Sequence, residues 1–195
     1  MSLYKNQLKD WLSKKSVSGT KALSIGNQND DRKYFEFCDF PEWHNMDIDD
    51  QFKPDILHDM NKPLITEEGD NAIDYELLGS YSHVFAFELW DYIYDPMTAH
   101  RNIFDLLKSG GTYMGSYPFV YPHHEPIAMD SLRYTNSGIR KLLTVAGFTD
   151  IKIEERVATE GRQYLSAFVG AEGMRLAKSL APYSWPIGYM VEAKK

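Results

Sequence analysis

The stretch from residue 82 to residue 117 sets a strand, a helix and a second strand in immediate succession, and few folds accept that order. "SHVFAFEL" at 82–89 is the most strand-like segment of the chain. In "DPMTAHRNIFDLLKSGG" Asp95 stands as an N-cap and Pro96 at the first helical position; Ile103, Phe104, Leu106 and Leu107 form the buried side, and Lys108 with Gly110 marks the end. "TYMGSY" at 112–117 follows as the next strand. A strand that returns through a helix to another strand gives a parallel pair with the helix on one face.

The rest of the chain extends that unit. Tyr4, Leu8, Trp11 and Leu12 fall at i, i+4, i+7 and i+8, a single helical stripe that predicts a leading helix within residues 1–20. Ala22 to Ile25 is a short apolar run closed by Gly26, and "EWHNMDI" at 42–48 and "DILHDM" at 55–60 are further strand candidates. "NSGIRKLLTVAGF" repeats the helix pattern with Ile139, Leu142, Leu143 and Ala146, closed by Gly147. "IKIEE" at 151–155 and "YLSAFVG" at 164–170 finish the predicted core, 21–170. Only "RVATEGRQ" separates these two, too little for a parallel crossover of roughly a dozen residues, so they are expected to pair antiparallel. The segment from Ala171 to Lys195 is left two roles, capping the sheet or mediating self-association as a homodimer.

Charge and composition narrow the partners. The 195 residues carry 28 acidic against 21 basic side chains, a formal charge of -7, which argues against a surface that tracks nucleic-acid phosphates and favours a small metabolite or glycan. Cys38 is the single cysteine, so no intramolecular disulfide can form and a reducing compartment is expected. No apolar run of about 18 residues is present to span a bilayer, and the N-terminus lacks a signal-peptide layout, so a soluble, cytoplasmic protein is expected.

The run "FELWDYIYDPMTAHRNIFDLLKSGGTYMGSYPFVYPHHEPIAMDSLRYTNSGIRKLLTVAGF" resembles the class I S-adenosylmethionine-dependent methyltransferases: the fourth-strand region, a helix ending in lysine and paired glycines, then R-x-T, a leucine-rich helix and A-G-F. The resemblance extends from about Lys21 to Gly170. It implies an α/β, Rossmann-like fold: a mostly parallel seven-stranded sheet with a terminal antiparallel hairpin and helices on both faces. It also implies S-adenosyl-L-methionine as cofactor. "SIGNQND" keeps Gly26 of the family's glycine loop but carries Ser24, Gln28 and Asp30 at its other positions. Asp47 lies 21 positions after Gly26 (47 − 26), near the roughly 20-residue offset at which an acid at the end of the second strand takes ribose hydroxyls; Asp49 and Asp50 are near enough to compete for that role. The resemblance implies Gly26, Asn27, Asp47, Ile48, Asp59, Met60, Phe87 and Glu88 as cofactor-binding residues, with Asp59 beside the adenine and Glu88 at the methionine end; Asp59 has the alternative of a helix or turn cap, and Phe87 that of packing in the core.

"YPFVYPHHEPIAMDSLRYT" at 117–135 is long enough to be a functional loop. Transfer to oxygen needs a positioned hydroxyl and a base near neutral pKa, and His123 and His124 are the only such bases in this loop. The resemblance favours His124, which lies closer to the family's pattern of one histidine upstream of a proline and an aspartate, here Pro126 and Asp130. Neighbouring side chains of an extended segment point opposite ways, so one histidine is expected to face the pocket. Adjacent histidines lack the convergent spacing of a metal site, and none is expected. Tyr92, Asp130 and Arg133 are the candidate substrate residues, Asp130 and Arg133 with the alternative of an ion pair that orders the loop. Two functions follow: methyl transfer to a small-molecule or saccharide acceptor at oxygen, or a non-catalytic binding or assembly module on the same fold.

Overall fold

The computed structural model describes residues 3–26, 35–65, 73–157 and 186–195. Helix α1 (Leu3–Ser13) leads, followed by β1 (Val17–Ser18), β2 (Lys21–Ile25), β3 (Cys38–Asp39), β4 (Glu42–Asp47) and β5 (Ile56–Leu57). Then come β6 (Tyr81–Ala86), α2 (Pro96–Leu106), β7 (Leu107–Pro118), α3 (Asn136–Ala146), β8 (Thr149–Val157) and β9 (Pro186–Lys194). Seven strands form one sheet in the order β5-β4-β2-β6-β7-β9-β8, while β1 and β3 make a small parallel pair apart from it. From β5 to β7 all neighbours are parallel; β9 runs antiparallel to both β7 and β8. The expected seven-stranded, mostly parallel sheet with an antiparallel end is therefore present.

A segment not expected to join the sheet pairs with β8. Residues 164–170, the expected partner, lie outside the described residues, and β8 pairs with β9, Ile153 opposite Val191 and Glu155 opposite Tyr189. The stretch assigned to a C-terminal extension thus supplies an interior strand whose Tyr189, Met190, Val191 and Ala193 are buried. The reason is coverage: β9 has strands on both edges and is packed on both faces, so it reads as an apolar run after two prolines rather than as an alternating strand. Two smaller differences are local. The strand expected over 55–60 shortens to Ile56–Leu57, and α2 ends at Leu106, so Lys108 and Gly110 belong to β7.

The helices cover both faces. On one, Ile103 and Leu106 of α2 and Ile139 and Leu143 of α3 pack over Leu23, Ile25, Val84 and Val191; each such fully buried aliphatic side chain contributes about 2 kcal/mol of hydrophobic stabilisation. Asp95 caps α2 by accepting from Thr98 N at 3.1 Å, Thr135 caps α3, and Gly147 ends α3 at φ 107. On the other face Leu8, Trp11 and Leu12 of α1 meet Ala22, Phe85, Met114 and Met190. Residues 35–37 form only a 3-10 turn, and beside α1 the sheet is covered by rings, Phe35, Phe40 and Trp43 packing on Phe85. Burial pushes the Cys38 thiol up to about 11, so it stays protonated as a small apolar group. Among the described residues no helix is long and apolar enough to cross a membrane.

A polar chain runs through the first core. Trp90 Nε1 donates to Tyr113 Oη at 2.9 Å, Tyr113 and Tyr117 share a bond of 2.8 Å, Tyr117 meets His100 Nε2 at 2.7 Å, and His100 Nδ1 meets the Pro96 carbonyl. An indole N–H can only donate and a carbonyl can only accept. The direction of every bond follows: Tyr113 donates to Tyr117, Tyr117 to Nε2, and the imidazole proton sits on Nδ1. A proton moved to Nε2 would leave two acceptors, Nδ1 and the Pro96 carbonyl, facing each other, and burial pushes the fully enclosed imidazole down to about 4.

The pH consequence has a definite sign. An unfolded imidazole takes its proton near 6.5 and the folded one near 4, so as pH falls through that window the unfolded state binds the extra proton and stability is lost, by on the order of 3 kcal/mol in full for His100. Urea unfolding at pH 7.5 and pH 5 should therefore show a marked loss at the lower pH. In His100→Gln that loss should be shallower, carried only by His58 and His83, which burial also pushes down. An unchanged difference between the two pH values would exclude the neutral, Nδ1-protonated state.

Candidate functional site

The carboxyl ends of β2 and β4 open into a cavity with about 380 Å³ of empty space, part of it open to solvent, within the range of small-ligand pockets. Its wall on this side is made by Gly26, Asp47, Ile48, Asp59 and Met60, and it is closed by Leu89, Tyr92 and Met129. Gly26 bonds Met46 O at 2.9 Å and turns at φ 69; a Cβ there would lie 2.8 Å from Leu89 Cδ1. Glycine is thus favoured by backbone conformation, while a Cβ would also make the Leu89 side chain shift. Asn27, Gln28 and Asp30 lie outside the described residues.

Asp47 ends β4 and turns the chain by accepting Asp49 N at 3.0 Å. Asp49 in turn caps the 3-10 turn Asp50–Phe52 through Gln51 N, so of the three neighbouring acids Asp47 is the one at the cavity. Asp59 lines the cavity and also receives both the backbone and side-chain N–H groups of Asn61 at 3.0 Å, so the turn-capping role and the cavity position coexist. Two asparagines fix this loop. Asn61 Oδ1 accepts Tyr94 N and Asp95 N at 2.9 and 3.0 Å, and the buried Asn102 of α2 accepts Leu64 N and donates to the Lys62 and Met60 carbonyls. Neither asparagine was expected from the sequence. The available signal was Asn102, a polar residue beside Ala99, Ile103 and Leu106 on the buried side of α2.

A second cavity, about 260 Å³ of empty space, lies next to the first and is lined by Glu88, Asp91, Pro118, Tyr121 and His124. Tyr92 marks the border: it lines the first cavity while its hydroxyl contacts His124 Nδ1. The hydroxyl donates its only proton to Glu125 O at 2.6 Å, so Nδ1 must donate to it and Nε2 carries the lone pair. His124 is 43 % exposed at its side chain, whereas His123 is 81 % exposed and points to Asp130 at 3.2 Å. One histidine of the pair faces the pocket, and it is His124.

Asp130 and Arg133 realise the ion-pair alternative. Arg133 grips both Asp130 oxygens at 2.6 and 2.8 Å and donates to the Pro122 carbonyl at 3.0 Å, while Asp130 Oδ2 accepts His124 N at 3.2 Å. The hydrogen-bonded guanidinium holds the Asp130 carboxyl well below the usual carboxylate range, so the clasp persists into acid.

Two expected cofactor residues are placed elsewhere. Phe87 is buried against Phe35 and Phe85 on the α1 face, because the alternation of β6 continues through it, and it packs instead of lining either cavity. Glu88 lies in the second cavity, not the first. It adopts φ 53, its N–H bonds Ser116 Oγ at 2.9 Å, and its Oε1 accepts from Ser116 and from Arg156 Nη1 at 2.8 and 2.7 Å. Arg156 comes from β8 with a fully buried side chain. A non-glycine residue held at positive φ beside a cavity marks a built site. Asp91, absent from the expectations, is buried with its carboxyl raised above its ordinary value, chiefly by burial.

Solved structures share this fold along nearly the whole chain. An S-adenosylmethionine-dependent methyltransferase from Mesorhizobium loti is 14% identical with a TM-score of 0.63, covering 100% of this chain and 98% of that one. One from Archaeoglobus fulgidus is 15% identical with a TM-score of 0.62, covering 99% and 93%. A Haemonchus contortus phosphoethanolamine N-methyltransferase 2, in complex with S-adenosyl-L-methionine, is 16% identical with a TM-score of 0.58, covering 97% of this chain and 52% of that one. No protein-family model and no curated protein matches the chain. The fold is therefore the Rossmann-like fold of these methyltransferases.

If the clasp orders the histidine loop, Arg133→Met should speed amide hydrogen exchange over residues 121–125 by tenfold or more. The melting temperature should fall by only about 2–4 °C per kcal/mol lost in a chain of this size. Unchanged exchange in that segment would remove the role assigned to the pair.

Proposed function

We propose that the chain is an S-adenosyl-L-methionine-dependent methyltransferase acting on a hydroxyl of a small-molecule or saccharide acceptor. The observation that carries the reading is the juxtaposition of a cavity edged by Gly26, Asp47 and Asp59 with a second cavity edged by His124, joined at Tyr92. The first cavity fits the nucleoside by its donor set. A glycine, having no Cβ, allows close backbone approach, Asp47 at the strand end offers a carboxylate for ribose hydroxyls, and Asp59 can accept from the adenine amine. Ile48 and Met60 supply the apolar walls such a ring requires.

When bound, the cofactor supplies an electrophilic sulfonium methyl. The chain's own part is positioning and proton removal. His124 Nε2 is the base for the acceptor hydroxyl, because Tyr92 holds the proton on Nδ1. Asp130 fixes the His124 backbone, and Arg133 fixes Asp130. Leu89 and Met129 add apolar lining to the first cavity.

Titration with S-adenosylhomocysteine tests the reading, and no heat or stabilisation at millimolar ligand would refute it, leaving a binding or assembly module on this fold. Asp47→Ala should weaken S-adenosylhomocysteine binding by about 10- to 100-fold, the loss of hydrogen bonds to a charged acceptor of about 1.5–3 kcal/mol. His124→Ala should bind it like the parent yet slow methyl transfer by about 100-fold or more, measured as S-adenosylhomocysteine release with an active acceptor.

A further inference from the structure

We propose that the second cavity binds the ammonium group of the acceptor, with Asp91 as its counter-ion, so that the substrate is an amino alcohol or amino sugar; this deepens the methyl-transfer reading and rests on it. The argument starts from a charge count. Glu88 is matched by Arg156 at 2.7 Å and Asp130 by Arg133 at 2.6 Å. The Asp91 carboxylate has no guanidinium of its own among the described residues that face this space; its nearest partner is the His124 imidazole at 3.8 Å, and Arg133 acts on it only from beyond ion-pair distance.

Asp91 is also enclosed. Its side chain is 8 % exposed, and among the described residues no side chain donates to it within hydrogen-bonding distance. The nearest cationic candidate is His124 Nδ1 at 3.8 Å, and that N–H is directed to Tyr92 Oη. A carboxylate taken out of water with no side-chain donor is costly, and burial raises it although its own backbone N–H, His124 and Arg133 act the other way. A cation entering the cavity would remove that cost.

The remaining walls suit a cation. Tyr121 and His124 put rings against the space with centroids 5.7 Å apart, and an aromatic face beside a desolvated ammonium adds attraction. Burial raises the Tyr121 phenol first, and the charges of Glu88 and Asp91 raise it further against the opposing Arg156 and Arg133. The same two carboxylates disfavour phosphate-bearing acceptors. Because Asp91 and the base His124 edge one small cavity, the ammonium and the accepting hydroxyl must lie close together on the substrate.

Two matched probes test this on the full chain: 2-aminoethanol, which carries an ammonium at neutral pH, and ethylene glycol, which does not. The readout is the ring resonances of His124 in nitrogen-15 spectra. The amine should give a saturable shift with at least tenfold tighter binding than the diol. Asp91→Asn should abolish the preference and Asp91→Glu should keep part of it. Equal binding of amine and diol, or unchanged amine affinity in a folded Asp91→Asn, would overturn the proposal; if that variant does not fold, the comparison on the parent decides. S-adenosylhomocysteine titrated into the same samples separates the two readings. Its binding without an amine preference sinks the cation site alone, and an amine preference without its binding leaves the cation site and removes the methyl-transfer reading.

Discussion

Four hydrogen bonds through the core, from the Trp90 indole through Tyr113 and Tyr117 to His100 and the Pro96 carbonyl, fix where both cavities can be. The chain joins three elements: the turn after β6, the strand β7 and the start of α2. Trp90 is also clamped by stacking, 4.1 Å from the His100 ring and 4.8 Å from Tyr117. With its indole so held, the backbone of the next two residues has little freedom. Asp91 and Tyr92, which form the floor of one cavity and the border of the other, inherit their positions from a side chain that touches neither. Tyr134 adds a bond to the Trp90 carbonyl, and Ser131 and Leu132 bond that of Asp91, so the far end of the histidine loop is tied to the same turn.

The two sides of the site are built in different ways. At the first cavity the functional groups sit at strand ends and tight turns, and the asparagine bonds to α2 make them part of the rigid frame. At the second cavity they hang on a loop whose order comes from one bidentate ion pair and a tyrosine. The contrast suits the proposed tasks, since a common cofactor demands a fixed shape while an acceptor pocket has to be specified by a few polar groups on a variable loop. Buried Arg156 extends this logic: it comes from β8, the last strand of the sheet among the described residues, and pairs with Glu88 at the second cavity.

Much of the frame is legible in the residues. Asp95 with Pro96 states where α2 begins and Gly147 after a leucine-rich stripe states where α3 ends, through local hydrogen bonding, and the stripe of Leu8, Trp11 and Leu12 states the buried side of α1. Gly26 and Asp47 are legible because a parallel unit repeats with a nearly fixed length, which brings strand ends to one edge. Phe87 was misassigned because a residue next to a strand end can face either way, and the alternation of β6 sends it into the α1-side core. The Asn61 and Asn102 ties, the Asp91 carboxylate and the Arg156 pair join positions tens of residues apart, with no periodic signal between them.

Taken alone, the sequence determined the helices with their caps, the parallel character of the sheet, Gly26 and Asp47 as candidates, and the choice of the histidine loop, all of which depend on short-range periodicity or repeat length. Only the tertiary structure decided that β9 lies beside β8, that His124 and not His123 meets the cavity, and that Glu88 meets the Arg156 guanidinium while Asp91 has the His124 imidazole 3.8 Å away. The physical reason is the range of the interaction: capping and amphipathic spacing act within a few residues, whereas strand pairing, enclosure and charge balance depend on which distant side chains share one small volume.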